Sequence, residues 1–101
     1  MYDAIVVGAR VAGAPLALLL ARRGRRVLLI DRATFPSDTL STHFIQPEGT
    51  ARLQSWGLLE PLLAAGCRPV TLLTRDFGLL KQARMEFPPT SRAGVDWQLN
   101  C

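Results

Sequence analysis

Two apolar runs flank a glycine-rich turn and a helical pattern in the first 31 residues, and this arrangement constrains the fold more than any other feature. Residues 3–7 and 27–31 are rich in Ile, Val and Leu without polar alternation, which is typical of strands buried on both faces of a parallel sheet. Residues 11–23 place apolar side chains three or four apart, as an amphipathic helix does. A strand, a helix and a strand within roughly 30 residues predict a right-handed βαβ unit of an α/β fold.

The turn between the first strand and the helix has the spacing G-x-G-x-x-G. Gly8 and Gly13 occupy the first and last glycine, and Asp31 follows 23 residues after Gly8, at the end of the second strand. In such a turn the backbone N–H groups at the helix N-terminus face a pyrophosphate, and the acidic residue accepts hydrogen bonds from ribose hydroxyls. We therefore predict a dinucleotide site. The alternative is a plain βαβ unit with an unrelated surface aspartate.

Arg10 stands where this motif has its second glycine. The missing side chain of a glycine normally allows the backbone close to the phosphates, so an arginine there must join the contact or turn away. Its forked donors could pair with a phosphate, and it could equally lie on the surface. Both interpretations stay open from the sequence.

The remaining chain predicts shorter elements. Residues 33–44 are polar and contain Pro36, which indicates an irregular loop, and no element is predicted from Pro88 to Cys101. The other expected elements are helices over residues 47–57 and 59–65 and strands over residues 70–74 and 84–87 with a turn near Gly78.

Composition and charge narrow the class of protein. The 101 residues are 49% hydrophobic and 20% charged, which fits one globular unit and argues against disorder. Arginines at residues 22, 23, 25 and 26 and a net charge of +4 invite a nucleic-acid interpretation. However, cations are favoured at a helix C-terminus and no aromatic side chain interleaves with them, so no nucleic-acid partner is predicted.

Cysteine usage and the N-terminal residues bear on location. Cys67 and Cys101 are far apart and form no C-x-x-C, so we predict neither a disulfide scaffold nor a metal site, and expect a reducing compartment. The start Met1-Tyr2-Asp3 lacks the basic region of a signal peptide, and the longest apolar run is about half of what a membrane span needs. A cytoplasmic protein without a membrane span is expected, and its oligomeric state stays open.

His43 is the only histidine, and it lies close to Ser41 and Asp38 in the polar loop. One histidine cannot make a multi-histidine metal site. A catalytic triad needs converging geometry that spacing does not provide, so we favour a structural or cofactor-side role for His43 and name no catalytic residue.

The order of these motifs carries a family resemblance. DAIVVGARVAG (residues 3–13), LLLARRG (18–24), VLLIDR (27–32) and FPSDTLSTH (35–43) resemble the start of FAD-dependent monooxygenases of the para-hydroxybenzoate hydroxylase-like family, which has geranylgeranyl reductase-like relatives. The resemblance covers about residues 3 to 75. In one bacterial branch of that family GARxAG is the usual form of the turn.

The resemblance implies a Rossmann-like βαβ segment of a glutathione reductase-type flavin fold that binds FAD. It implies NAD(P)H as reductant and a small aromatic or other organic substrate, with Ser41, Thr42 and His43 in a segment beside the flavin. Residues 1–68 would be the FAD-binding segment with its following helices, and 69–101 the first strands of a β-rich substrate region. The implied cofactor-binding residues are Gly8, Arg10, Val11, Ala12, Gly13, Asp31 and Arg32.

Two later family motifs, Asp-Gly and Gly-Asp, do not occur in these 101 residues. We therefore expect an incomplete flavin fold that is inactive alone, and a truncated, non-catalytic remnant is one alternative. Another is an NAD-dependent Rossmann dehydrogenase, although the long polar loop over residues 32–47 disfavours it, since a dehydrogenase continues promptly into another helix and strand.

Overall fold

The computed structural model describes residues 1–70, 72–76, 78, 82–86 and 98–101. The chain divides into two compact units, Met1–Leu40 and Ser41–Cys101. The sequence predicts a different, functional division, in which the FAD-binding segment ends at residue 68 and the substrate region begins at residue 69. That boundary stays a prediction.

The first unit is a parallel βαβ unit, as predicted. Strand β1 (Ala4–Val7), helix α1 (Gly13–Arg22) and strand β2 (Val27–Ile30) follow in order. β1 and β2 pair in parallel from Ala4 opposite Val27 to Val7 opposite Ile30. The helix begins two residues later than its apolar pattern suggested, because residues 11 and 12 form a turn that leads into it.

Only one face of this two-stranded sheet is covered, which corrects the expectation of strands buried on both faces. Val6 is 8% exposed and lies against the start of α1, whereas its neighbours Ile5 and Val7 are 62% and 78% exposed. Alternate side chains of a strand point to opposite faces. Within Met1–Leu40 the described elements supply one helix, and it lies on the Val6 side of the sheet. This unit therefore buries fewer of the apolar strand side chains than their continuous pattern predicts.

The second unit contains the remaining elements, which continue the numbering in chain order. They are β3 (Phe44–Ile45), α2 (Pro47–Ser55), α3 (Leu59–Ala64), β4 (Arg68–Val70), β5 (Leu72–Asp76), β6 (Gln82–Glu86) and β7 (Gln98–Asn100). β7 lies between β3 and β4 and is antiparallel to both, while β5 and β6 form an antiparallel hairpin.

The core of the second unit gathers residues that are distant in sequence. Leu53 of α2, Leu59 of α3 and Leu99 of β7 are buried together, and Trp56 packs against them. Pro47 at the first helical turn begins α2, because its missing N–H has no helical partner to lose there. The helices and the hairpin with its turn at Gly78 agree with the sequence prediction.

Three strands were missed, and one of them, β4, overlaps the first strand predicted in this part of the chain only at Val70. β3 ends the predicted irregular loop, and β7 lies in the stretch for which no element was predicted. Each has two or three residues, too few for a periodic pattern, and each is stabilised by pairing with distant strands. Phe87, Trp97 and most of the final stretch that begins at Pro88 lie outside the described residues.

The structure also corrects the prediction for the two cysteines, because it joins Cys67 and Cys101 in a disulfide. β4 and β7 pair with Arg68 opposite Asn100, so the residues that flank this pair face each other with their Cα atoms 4.3 Å apart. Because the two cysteines are 34 residues apart in the sequence, the sequence alone does not show that they are close in space. No group of three or more metal-binding side chains occurs among the described residues.

Candidate dinucleotide-binding site

The glycine turn is closed by hydrogen bonds from the end of β2. The Gly8 N–H donates to the carbonyl oxygen of Ile30 at 2.7 Å, which extends the strand pairing by one residue. Gly8 then adopts φ +101°, a conformation that L side chains rarely adopt, and the chain leaves the sheet. The next N–H, of Ala9, donates to Oδ2 of Asp31 at 2.7 Å. The end of β2 and the residue after it therefore fix the first two residues of the bend that precedes α1.

Gly13 brings the first turn of α1 directly onto that bend. A Cβ added to Gly13 would overlap the carbonyl oxygen of Gly8 and lie 3.2 Å from Cγ1 of Val6. The space next to Gly13 is thus filled by backbone, which is the close helix–strand packing that the last glycine of this motif allows.

The turn that enters α1 presents unused donors, whereas within α1 the Ala14 N–H donates to the carbonyl oxygen of Arg10 at 3.0 Å and Pro15 has no N–H. The first N–H groups of an α-helix have no intrahelical acceptor, and Ala12 at the N-cap has no side-chain oxygen to receive them. In the part of the chain that the structure describes, the N–H groups of Val11, Ala12 and Gly13 have no acceptor. Val11 is exposed. Donors of this kind, at the positive end of the helix dipole, suit a phosphate.

Both carboxylate oxygens of Asp31 accept hydrogen bonds from backbone N–H groups. Oδ2 accepts the Ala9 N–H, and Oδ1 accepts the Ala33 N–H at 2.7 Å. The hydrogen bond from Ala9, followed by that from Ala33, lowers the pKa of this carboxyl below its ordinary value of 3.8, with smaller help from Arg10 and Arg32. A carboxylate has about four lone-pair sites, so each oxygen retains capacity for a further donor such as a ribose hydroxyl.

The lowered pKa of Asp31 predicts a pH dependence. Because the folded chain holds the charged carboxylate, its contribution to stability is fully present above pH 3.8 and is lost as the pH falls through the lower folded value. We expect the melting temperatures of the wild type and Asp31→Asn to converge below pH 3.8. Thermal melts followed by circular dichroism from about pH 6 down to about pH 2, a range that extends well below the ordinary pKa, would test this. A constant difference throughout would contradict it.

Arg10 turns to the segment that follows β2. Its Nη2 donates to the hydroxyl of Ser37 at 2.6 Å, and its guanidinium carbon lies 5.3 Å from the ring centroid of Phe35, within cation–π distance. Both sequence-based interpretations of Arg10 left these partners out. Phe35 and Ser37 are separated from Arg10 by at least 25 positions, and no spacing rule links them.

The other residues singled out from the sequence are exposed. Arg32 follows Asp31 on the surface, and Ser41, Thr42 and His43 are exposed at the start of the second unit. The Ser41 hydroxyl accepts the backbone N–H of His43 at 3.1 Å, and His43 adopts φ +58°. This local turn gives Ser41 a structural role, while the structural or cofactor-side role of His43 stays a prediction.

Comparisons with known proteins identify what this arrangement is similar to. The profile of a family described as FAD binding domain matches residues 1–94. Squalene monooxygenase of Candida glabrata is 37% identical over 70 residues, and menaquinone reductase of Mycobacterium tuberculosis is 46% identical over 56 residues. The structure of Pseudomonas aeruginosa PqsL in complex with 2-aminobenzoylacetate superposes with a TM-score of 0.72 at 25% sequence identity.

The chain is much shorter than these relatives. The matches cover 69% and 55% of this chain but 14% of each of the two enzymes. The superposition covers 98% of this chain and 26% of PqsL. Among the residues that the structure describes, no helix has the length and apolar character needed to cross a membrane.

Proposed function

This chain belongs to the FAD binding domain family, and on that premise we propose that it is the dinucleotide-binding part of a flavin-dependent, NAD(P)H-dependent monooxygenase. The observation that carries the proposal is the Asp31 carboxylate held by the N–H of Ala9, in the same turn as the open N–H groups at the entry to α1. This contact supports the proposal because a carboxylate that can accept from hydroxyls and N–H groups that can donate to a phosphate lie at one turn. An adenosine diphosphate moiety, such as that of FAD, carries both chemistries in adjacent positions.

The residues present fit this group. The turn from Gly8 to Gly13, including Arg10, Val11 and Ala12, would hold the pyrophosphate through backbone N–H groups. Asp31 would accept the ribose hydroxyls and Arg32 would lie beside the adenine. When bound, FAD supplies the redox chemistry, while these residues bind and orient it. No side chain of this site is assigned to proton transfer.

The names of the relatives support a proposal for the reaction class and the substrate class. Squalene monooxygenase and 6-methylpretetramide 4-monooxygenase are named for oxygenation, and menaquinone reductase is named for reduction. We propose oxygenation of a small organic substrate in the cytoplasm, with residues 69–101 beginning the substrate region. Reduction without oxygenation is the second candidate, because the menaquinone reductase match has 46% identity.

Flavin retention tests the proposed function. The purified 101-residue chain is mixed with FAD, desalted and examined by visible absorption, and FAD and NAD⁺ are compared in calorimetric titrations. We expect flavin bands at near-equal stoichiometry and no comparable affinity for NAD⁺. Preferential binding of NAD⁺ would favour the dehydrogenase alternative. A folded chain without flavin would support the non-catalytic remnant and contradict the proposal.

Asp31→Asn tests the observation that carries the proposal. The amide can accept at one oxygen only, and its NH₂ group would face a backbone N–H of Ala9 or Ala33. We expect FAD affinity to fall roughly tenfold to hundredfold, since a charge-assisted acceptor is lost. Asp38→Asn is the matched control, because it removes the same charge from an exposed position in the same unit. Equal affinities of the two variants would contradict the assignment of Asp31.

Arg10→Met tests whether Arg10 contacts a phosphate in addition to its hydrogen bond with Ser37. The Ser37 hydroxyl takes one of five guanidinium N–H donors, so Arg10 keeps donors for a phosphate. We expect Arg10→Met to weaken FAD binding about five- to tenfold and to reduce its salt dependence, whereas Ser37→Ala, which removes only the hydroxyl, keeps that dependence. Titration of each variant with FAD at two salt concentrations measures both effects. An unchanged FAD affinity of Arg10→Met would exclude a phosphate contact.

A further inference from the structure

The β4–β7 register brings the two cysteines together. Arg68 and Asn100 form a paired position, and Cys67 and Cys101 are the next residues outward on the two antiparallel strands. Their Cα atoms are 4.3 Å apart, near the roughly 4.5 Å spacing of a non-hydrogen-bonded antiparallel pair, and their sulfur atoms are bonded. The disulfide is thus a product of strand pairing.

Each cysteine is also anchored by its backbone. The Cys67 N–H donates to the carbonyl oxygen of Leu62 at 3.0 Å, at the end of α3. The Cys101 N–H donates to the carbonyl oxygen of His43 at 3.0 Å, immediately before β3. The disulfide therefore ties together the end of α3, both strands and the entry to β3. It joins two residues that are 34 positions apart in the sequence.

The bond is accessible to small thiols. Cys101 is exposed and Cys67 is half-buried. Exposed disulfides are the more readily exchanged ones, and regulatory disulfides belong to this class. Because β7 has only three residues, its attachment depends on the burial of Leu99, on backbone pairing and on this covalent link.

We propose that Cys67 and Cys101 form a reversible redox latch that fastens β7 to β4. One thiolate attacks a low-molecular-weight disulfide of the glutathione type and releases one thiol. The second cysteine thiolate then displaces the second thiol from the mixed disulfide. Two cysteine thiols are oxidised, one external disulfide is reduced to two thiols, and the two protons pass to the released thiolates. Excess external thiol reverses both steps and leaves β7 held by backbone pairing and Leu99.

Thiol trapping in a glutathione redox buffer tests the latch. The 101-residue chain is equilibrated with reduced and oxidised glutathione, quenched with acid, alkylated and weighed by intact mass spectrometry. We expect an intramolecular disulfide without adducts over a range of glutathione ratios in which a control keeps two alkylated thiols. The control combines Cys67→Ser with Arg68→Cys, which moves the thiol to the opposite face of β4. The ratio of oxidised to reduced chain should differ at least about tenfold.

Denaturation and hydrogen exchange of the wild-type chain supply a second measurement. In denaturing guanidinium chloride at the same glutathione ratio, its oxidised fraction should fall to that of the control, because the register is lost. Hydrogen exchange of residues 68–70 and 98–101 should accelerate on reduction in the wild type. In a variant with Cys67→Ser and Cys101→Ser, the hydrogen-exchange rates of the same residues should not change when reductant is added. Equal trapping of the wild type and the control, disulfide-linked dimers, or exchange indifferent to reduction would each overturn the latch.

Discussion

Replacing Gly13 with alanine will abolish flavin retention and destabilise the unit Met1–Leu40 by about 3 kcal/mol or more, the upper end of what overpacking causes. The added methyl group would overlap the carbonyl oxygen of Gly8, which is backbone and is fixed by strand pairing. Relief requires α1 to move away from β1. Such a movement displaces the N–H groups of Val11 and Ala12, which lead into α1, so fold and cofactor binding fail together.

Other glycines in the same unit are the controls for Gly13→Ala. Gly24 has φ +76° and no atom within 4 Å of an added Cβ, so Gly24→Ala introduces backbone strain without a clash. We expect it to cost about 1–2 kcal/mol and to retain FAD. Gly8→Ala has the same kind of strain, at φ +101°, but inside the binding turn. Circular dichroism melts and flavin absorbance after desalting measure both effects. A Gly13→Ala chain that melts and binds FAD like Gly24→Ala would refute the packing argument.

Leu99→Ala will destabilise the second unit by about 2–5 kcal/mol, the usual range for removing a buried leucine side chain. Leu99 is fully buried between strands β3 and β4 and packs with Leu53 and Leu59. Truncation leaves a cavity at the centre of a three-stranded sheet whose strands are too short to hold together by hydrogen bonds alone. Chemical denaturation monitored by tryptophan fluorescence would report the loss, because Trp56 lies in the same cluster and Trp97 also belongs to the second unit.

Leu40→Ala is the matched control for Leu99→Ala. The same atoms are removed from a fully exposed leucine, so we expect a change within about 0.5 kcal/mol. The two variants also separate the units. Leu99→Ala should shift the transition reported by tryptophan fluorescence and leave the pH response of Asp31 unchanged. Similar denaturation midpoints for both leucine variants would show that β7 is no part of a core.

Features encoded by neighbouring residues were predictable. The strand–turn–helix–strand order over residues 3–31 follows from apolar runs and periodicity, because each element expresses its preference within a few residues. Gly8, Gly13 and Asp31 were found by spacing, since the geometry of a βα turn fixes which positions meet the sheet edge. Pro47 marked the start of α2 for a similarly local reason, its lack of an N–H.

Features that depend on distant pairing were decided by the tertiary structure alone. β7 is a strand because β3 and β4 supply its hydrogen-bond partners, and the same register joins Cys67 to Cys101. Arg10 contacts the ring of Phe35 and the hydroxyl of Ser37 because the chain folds back after β2. The apolar run in β1 could not reveal that one of its faces is exposed. Sequence patterns report the conformation that a segment prefers, whereas contacts across tens of residues depend on how the formed elements pack and pair.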